Sequence, residues 1–448
     1  MTEWMASDPN GLWQSLVRVL CVVVPILLVV PGCIWWERRL LSWMQDRWGP
    51  NRVATLTVSD NFFIRALRGR KIKMFGLAQP IADGVKLFVK EDLSPQAIDK
   101  FLYFIAPAVA LFPAFALAGT LPWGPDRGFW QPFQPIADVN IGVLYVLAVS
   151  SLGVYGIVLG GYAGNNKYSL LGGLRSSAQL ISYELAMGMA LAAMVIVTGS
   201  LRMTAMVEVQ EGPLWGAVPW IQNWFVLTPF GFLAAIVFGV CILAETNRAP
   251  FDLPEAENEL IAGYHTEYSS MKFAVYFMGE YAAMLIFSMV FATVFLGGYN
   301  LLPLNWSEIG ASVPALGGFC QFLGKWNENL APLWFFGKGA FGITVYIWIR
   351  ATLPRLRYDQ LMNLGWKVLM PVAVANFLIA GFWVLGTELW GVWGGWLAAA
   401  LAFAACGGLL YAMMRAFREP LESRLGTRSV RLVDPKPRAR ARAVKARG

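Results

Sequence analysis

Seven carboxylates fall between Leu243 and Tyr281, in LAETNRAPFDLPEAENELIAGYHTEYSSMKFAVYFMGEY: Glu245, Asp252, Glu255, Glu257, Glu259, Glu267 and Glu280. Apolar stretches long enough to cross a membrane lie on both sides of this window. An ionised carboxylate costs about 2.5–3.5 kcal/mol at the centre of a bilayer, so acids gathered there suit proton relay or the holding of a polar ligand. Helix capping explains one or two of them, but not seven. Pro250 and Pro254 break the backbone, and Pro254 suits the first turn of a new helix. On that helix Asp252, Glu255 and Glu259 share a face. Like charges on one face repel, so some are expected to take raised pKa values and share protons. Arg248 lies three residues beyond Glu245, within helical reach. His265, the only histidine, reads as a surface or interface residue and not as a ligand.

Four further segments carry ionisable groups. Glu184, in ISYELA, sits roughly 9 Å into an apolar segment at about 1.5 Å per helical residue, where an ionisable group is a functional candidate by default. A structural partner such as Arg175 is the lesser alternative. Glu37 and Arg38 end the first apolar stretch, followed by Arg47 and a Gly-Pro-Asn turn; neighbouring arginines keep such a carboxylate ionised, and an interfacial anchor is the plainer reading. In QPIADGVKLFVKE, Ile81, Val85, Phe88 and Val89 share one helical face, while Asp83, Lys86 and Lys90 lie elsewhere. With Glu91 at its end, this segment is too charged to span and reads as an amphipathic helix in the membrane interface, either an anchor or a lip guiding an amphiphile inward. Arg350, Arg355 and Arg357 follow another apolar stretch and suit headgroups or carboxylates.

The elements that must position these groups are membrane helices. The 448 residues are 57% hydrophobic and 14% charged, against about 25% charged in soluble domains. Fourteen per cent aromatic residues, with 20 Trp, suit interfacial belts. No period-two pattern supports a barrel. Nine apolar segments of about 20 residues lie near 12–36, 101–121, 139–162, 178–199, 224–245, 273–297, 333–350, 368–386 and 394–414. The first is too long for a signal peptide and is expected to remain as a helix. The expected fold is therefore all-α and integral to the membrane. Cys21, Cys33, Cys241, Cys320 and Cys406 are scattered without a CxxC motif, so no metal site, haem pair or disulfide framework is expected.

Basic loops set the expected orientation. Loops 37–100, 163–177 and 350–367, and the tail from 415 with eleven basic and three acidic residues, belong in the cytoplasm. So does 246–272, whose acidity serves something other than topology. This puts the N-terminus outside and the C-terminus inside. The tail reads as disordered and drawn to anionic lipid headgroups; it lacks the aromatic interleaving of a nucleic-acid binder.

Taken together, ERR…GPNR, QPIADGVKLFVKED, ISYELA, AETNRAPFDLPEAENELIAGYHTEYSS and WIRATLPRLRYDQLM resemble, in order, the H-subunit family of proton-pumping NADH–quinone oxidoreductase, respiratory complex I. The resemblance implies an eight-helix core over residues 1–390, with an interfacial amphipathic helix. It implies a chain without a redox centre or bound cofactor, acting on quinone as substrate, with FMN and iron–sulfur clusters on partner subunits. Its partners would be the peripheral-arm and small membrane subunits, quinone and membrane lipids, in a bacterial inner membrane. Carried over by motif, Glu37, Arg38, Arg47, Asp83, Lys86, Glu91 and Arg248 would surround the quinone chamber and its entrance. Glu245, Glu184, Asp252, Glu255, Glu257, Glu267 and Glu280 would couple protons, and Arg350, Arg355 and Arg357 would pair with acids at the cytoplasmic face. The membrane anchor of a related ferredoxin-linked or hydrogenase complex is the alternative. A stand-alone transporter predicts inverted repeats, and none is visible. Two departures from the family stand out: an insertion at about 54–74, and an extra span at 391–416 followed by the basic tail 417–448.

Overall fold

The computed structural model describes residues 9–50, 55–57, 71–73, 76–125, 135–216, 218–252, 262–313 and 317–426. It is a bundle of helices: α1 (Pro9–Met44), α2 (Gln79–Val89), α3 (Lys100–Ala118), α4 (Gly142–Ala163), α5 (Lys167–Thr198), α6 (Met203–Glu211), α7 (Pro229–Glu245), α8 (Ser270–Phe295), α9 (Trp306–Ser312), α10 (Gly317–Asn329), α11 (Ala331–Thr352), α12 (Tyr358–Leu364) and α13 (Met370–Gly426). The protein is an all-α integral membrane protein. Contacts divide it into two compact units, Met1–Cys406 and Gly407–Gly448; the second is helical from Gly407 to Gly426. The expected tail disorder falls largely outside the described residues.

Nine spans were expected. Among the described residues seven helical stretches are long and apolar enough to cross a membrane, or eight if α10 and α11, bent by 70° at their junction, count as one. At 17 residues α7 falls short of that length: it reaches about 26 Å against a hydrocarbon core of about 30 Å. Apolarity alone reveals neither the bend nor the shortening. Gly391, at φ 60°, interrupts α13; the apolar stretch before it runs from Tyr358 of α12 to Gly391, and the one after it covers Trp393–Arg415. Only a residue without Cβ takes that conformation readily.

Among the described residues two small antiparallel strand pairs interrupt the helices. Within the 54–74 insertion, Thr55–Thr57 pairs antiparallel with Lys71–Lys73. Pro213–Leu214 pairs with Val218–Gln222.

Local chemistry sets several helix starts. Asp99 accepts hydrogen bonds from the Phe101 and Leu102 amides to open α3. The Asn166 side chain accepts from the Tyr168 amide at α5, and Thr228 accepts from the Gly231 amide ahead of Pro229 at α7. Each satisfies a donor the first turn cannot. Helix α8 forms the centre: 72% of its apolar window is buried, against 22% for α1. It packs against α1, α2, α3, α7 and α11, so side chains on its several faces meet groups from distant parts of the chain.

Candidate functional site

The acidic window begins where α7 ends, and its first turn is clamped to α5. Gln179, fully buried, donates from Nε2 to the carbonyls of Ala244 (2.9 Å) and Phe251 (3.1 Å). Asn247, at φ 48°, accepts from the Ser176 hydroxyl at 3.2 Å. Asp252 is buried and ion-paired with Arg355 at 3.0 Å. Its segment is also held through the Leu356 amide, which donates to the Pro250 carbonyl at 3.1 Å. Burial raises the Asp252 carboxyl above its ordinary value, and Arg355, Arg350 and Arg248 pull it back only in part. Glu255, Glu257 and Glu259, and the helix expected from Pro254, lie outside the described residues.

A continuous set of charged and phenolic groups runs inward from α1. Glu37, buried, pairs with Arg350 of α11 and accepts a hydrogen bond from the Tyr281 hydroxyl at 2.6 Å. The Arg248 guanidinium lies 4.5 Å from the Tyr281 ring centroid and 3.4 Å from Glu280. Tyr264 donates to the other oxygen of Glu280 at 2.9 Å. Glu280, Tyr264, Tyr276, Asn247, Thr246 and Glu245 line a cavity of about 80 Å³ beside α3 and α4. That exceeds the roughly 10–15 Å³ a cavity needs to admit a water. One oxygen of Glu245 is buried without a hydrogen-bond partner among the described residues. Glu184, half-buried on α5, is near enough to Glu245 for their charges to interact.

The other expected residues fall into two groups. Arg38 pairs with Asp83 at 2.8 Å and ties α1 to α2; Ile81, Val85, Phe88 and Val89 stay exposed on α2. Glu267 accepts from Asn166 Nδ2 at 2.8 Å, apart from the Glu37 chain. Arg47, Lys86 and Glu91 are exposed. At the end of α2 it is Asp92, one residue past Glu91, that pairs with Lys272 of α8, at 2.8 Å. Arg357 pairs with Asp359 at its own helix start. Arg175 lies over the Tyr358 ring at 6.0 Å.

Sequence reasoning missed several members. Tyr281 and Tyr264 carry no charge and gave no signal. His265 is buried, not at the surface; it stacks on Phe273 with centroids 5.4 Å apart, and burial lowers its pKa. Lys338, in the apolar stretch of α11, had a signal of the intramembrane kind. Its ammonium donates to the Gly298 carbonyl at 2.9 Å and to the Leu296 carbonyl, closing the end of α8.

A family model described as NADH dehydrogenase matches residues 17–381, which carry this whole arrangement. The chain belongs to that family. Among its relatives, the second NADH-quinone oxidoreductase H subunit of Koribacter versatilis is 40% identical over 393 residues, covering 85% of this chain and 99% of the relative. The H subunit of Thermomicrobium roseum is 42% identical over 386 residues, covering 85% and 98%. That of Cupriavidus pinatubonensis is 40% identical over 406 residues, covering 88% and 100%. The match to the family ends at residue 381, before the Gly391 break and the helix Trp393–Arg415. Among the described residues no group of three His, Cys, Asp or Glu could hold a metal ion.

Proposed function

We propose that this family member is a membrane subunit of a proton-translocating NADH–quinone oxidoreductase, forming much of the quinone chamber and passing the effect of quinone reduction into the membrane. The observation that carries this reading is the joined series Glu37, Tyr281, Arg248, Glu280 and Tyr264, ending at a largely apolar cavity into which Glu245 also reaches. Ionisable groups are costly in a bilayer, and where they occur they mark proton, ion or substrate pathways.

Quinone enters from the lipid past α2, where Asp83, Lys86, Glu91, Arg38 and Arg47 form the lip, and its headgroup comes to lie near Arg248 and the 246–272 loop. Electrons come from iron–sulfur clusters on partner subunits of an arm that also holds FMN. Reduction to quinol takes two electrons and two protons. The negative charge that builds up draws protons through Asp252, Glu255 and Glu257, and shifts the protonation of Glu245, Glu184, Glu280 and Glu267. The two-state element that couples these events is the loop between Glu245 and Ser270, which both the headgroup and the buried acids bias. Arg350 and Arg355 hold Glu37 and Asp252 in place. The chain sits in a bacterial inner membrane, N-terminus periplasmic and C-terminus cytoplasmic, beside the small membrane subunits, with residues 1–390 as the shared core and 391–416 as an added span.

The deciding experiment is purification of the tagged chain in mild detergent, with an NADH–quinone assay on what co-purifies. A flavin- and iron–sulfur-containing assembly with inhibitor-sensitive quinone reduction is the expected result. An assembly that evolves hydrogen or oxidises another donor would overturn it in favour of a related anchor. A lone chain without redox partners would point to a transporter.

A further inference from the structure

Beyond the family match, where α13 breaks at Gly391, lies a second cavity of about 300 Å³. Trp215, Trp383, Trp396, Thr387, Gly395 and Ala399 form its walls. The rings are mutually ordered: Trp215 is 6.3 Å from Trp383 and 5.7 Å, edge on, from Trp396. Trp383 in turn packs on Phe230 of α7 at 5.3 Å.

Three observations identify the ligand class. The walls are apolar and aromatic, which makes the space poor for water and suited to hydrocarbon. The indole Nε1 of Trp215 is buried without a hydrogen-bond partner among the described residues, and an indole N–H can only donate. Trp390, Trp393 and Trp396 are exposed around the break between two membrane-spanning stretches, the pattern of an aromatic belt at headgroup depth. A ligand here therefore needs an apolar chain and a carbonyl acceptor at interface level. The cavity is too small for a helix, whose diameter with side chains is about 10–12 Å, but wide enough for part of one acyl chain.

We propose that this cavity holds one acyl chain of a zwitterionic phospholipid with a primary ammonium headgroup, such as phosphatidylethanolamine, its ester carbonyl accepting from Trp215 Nε1. The charge at this end favours an ammonium. Glu388, next to Thr387, is exposed, as is Glu208 in the segment leading to Trp215; Glu211 accepts from Tyr299 and Asn300, and Arg202 is taken by Asp138. The site docks the start of the added C-terminal helix against the bundle through a lipid.

Native mass spectrometry of the full chain tests this, with phosphatidylethanolamine or phosphatidylglycerol titrated into delipidated protein. One phosphatidylethanolamine is expected to persist per chain, in preference to phosphatidylglycerol. Ala399→Trp, which fills the cavity, is expected to abolish the retained lipid. Trp215→Phe keeps the ring and removes the donor, and is expected to weaken retention about fivefold, the effect of one hydrogen bond. Glu388→Gln is expected to narrow the preference between the two lipids. Equal retention by wild type, Ala399→Trp and Trp215→Phe would overturn the site. So would a photoreactive group at position 399 that crosslinks to protein instead of lipid. The readout needs no redox activity, so its failure is separate from failure of the quinone reading.

Discussion

Tyr281 donates its phenolic hydrogen to Glu37 across 2.6 Å, joining positions 244 residues apart. With Arg350 on the carboxylate's other oxygen, three helices meet at one buried anion. Tyr281→Phe removes the donor but leaves the ion pair, and is expected to cost about 1.5–3 kcal/mol. Arg350→Met leaves the carboxylate unpaired by charge; its cost is expected near 3 kcal/mol, the low end for a stranded buried ion, because Arg350 is 36% exposed. Thermal denaturation of the purified assembly measures both. Losses below 0.5 kcal/mol, roughly the spread of ordinary surface substitutions, would mean the junction is held by packing alone.

Glu245→Gln preserves shape and removes the exchangeable charge. Quinone reduction and proton translocation are expected to fall together by roughly 10²-fold, the low end for a positioned proton-transfer group, with assembly intact. Parallel NADH–quinone and pumping assays in inverted vesicles decide it. Wild-type turnover in the variant would sink its coupling role.

Asp252 supplies a pH dependence of definite sign. Burial raises its carboxyl above the ordinary 3.8 in the folded chain, so the fold binds this proton more tightly than the unfolded chain does. The associated stability is complete below 3.8 and is lost as pH rises through the raised value. Hydrogen exchange of segment 246–252, corrected for intrinsic rates, is expected to show protection falling over that window. Arg355→Gln removes the principal opposing charge and moves the window to higher pH; Asp252→Asn abolishes it. A profile that Asp252→Asn leaves unchanged would refute the assignment.

Helices α3 and α4 touch through Gly156. A Cβ there would lie 2.5 Å from the Ala110 nitrogen and 2.7 Å from its Cα. Gly156→Ala must push two backbones apart and is expected to cost about 1–3 kcal/mol, whereas Gly381→Ala, with open space around it, is expected to be neutral or slightly stabilising. Melting temperatures of the two variants should separate clearly; equal values would mean that the α3–α4 contact is loose enough to take a methyl group.

The chemical types and their neighbourhood were determined by sequence alone. Apolar lengths dictate a membrane solvent, because only helices satisfy their own backbone there. The period of Ile81, Val85 and Phe88 gives α2 its exposed apolar side. The run of acids after Glu245 marks a costly site by residue type and spacing alone. Partner choice was decided by tertiary structure. In sequence Glu37 stands beside Arg38 and Arg39, yet adjacent helical positions do not face each other. Arg38 pairs with Asp83, Arg39 lies over Trp35 and Trp43, and Glu37 takes Arg350. The burial of His265 against Phe273 and the roles of Tyr264 and Tyr281 come from the same source. Periodicity reports which face of a helix is apolar, while packing many residues away decides which groups meet on it.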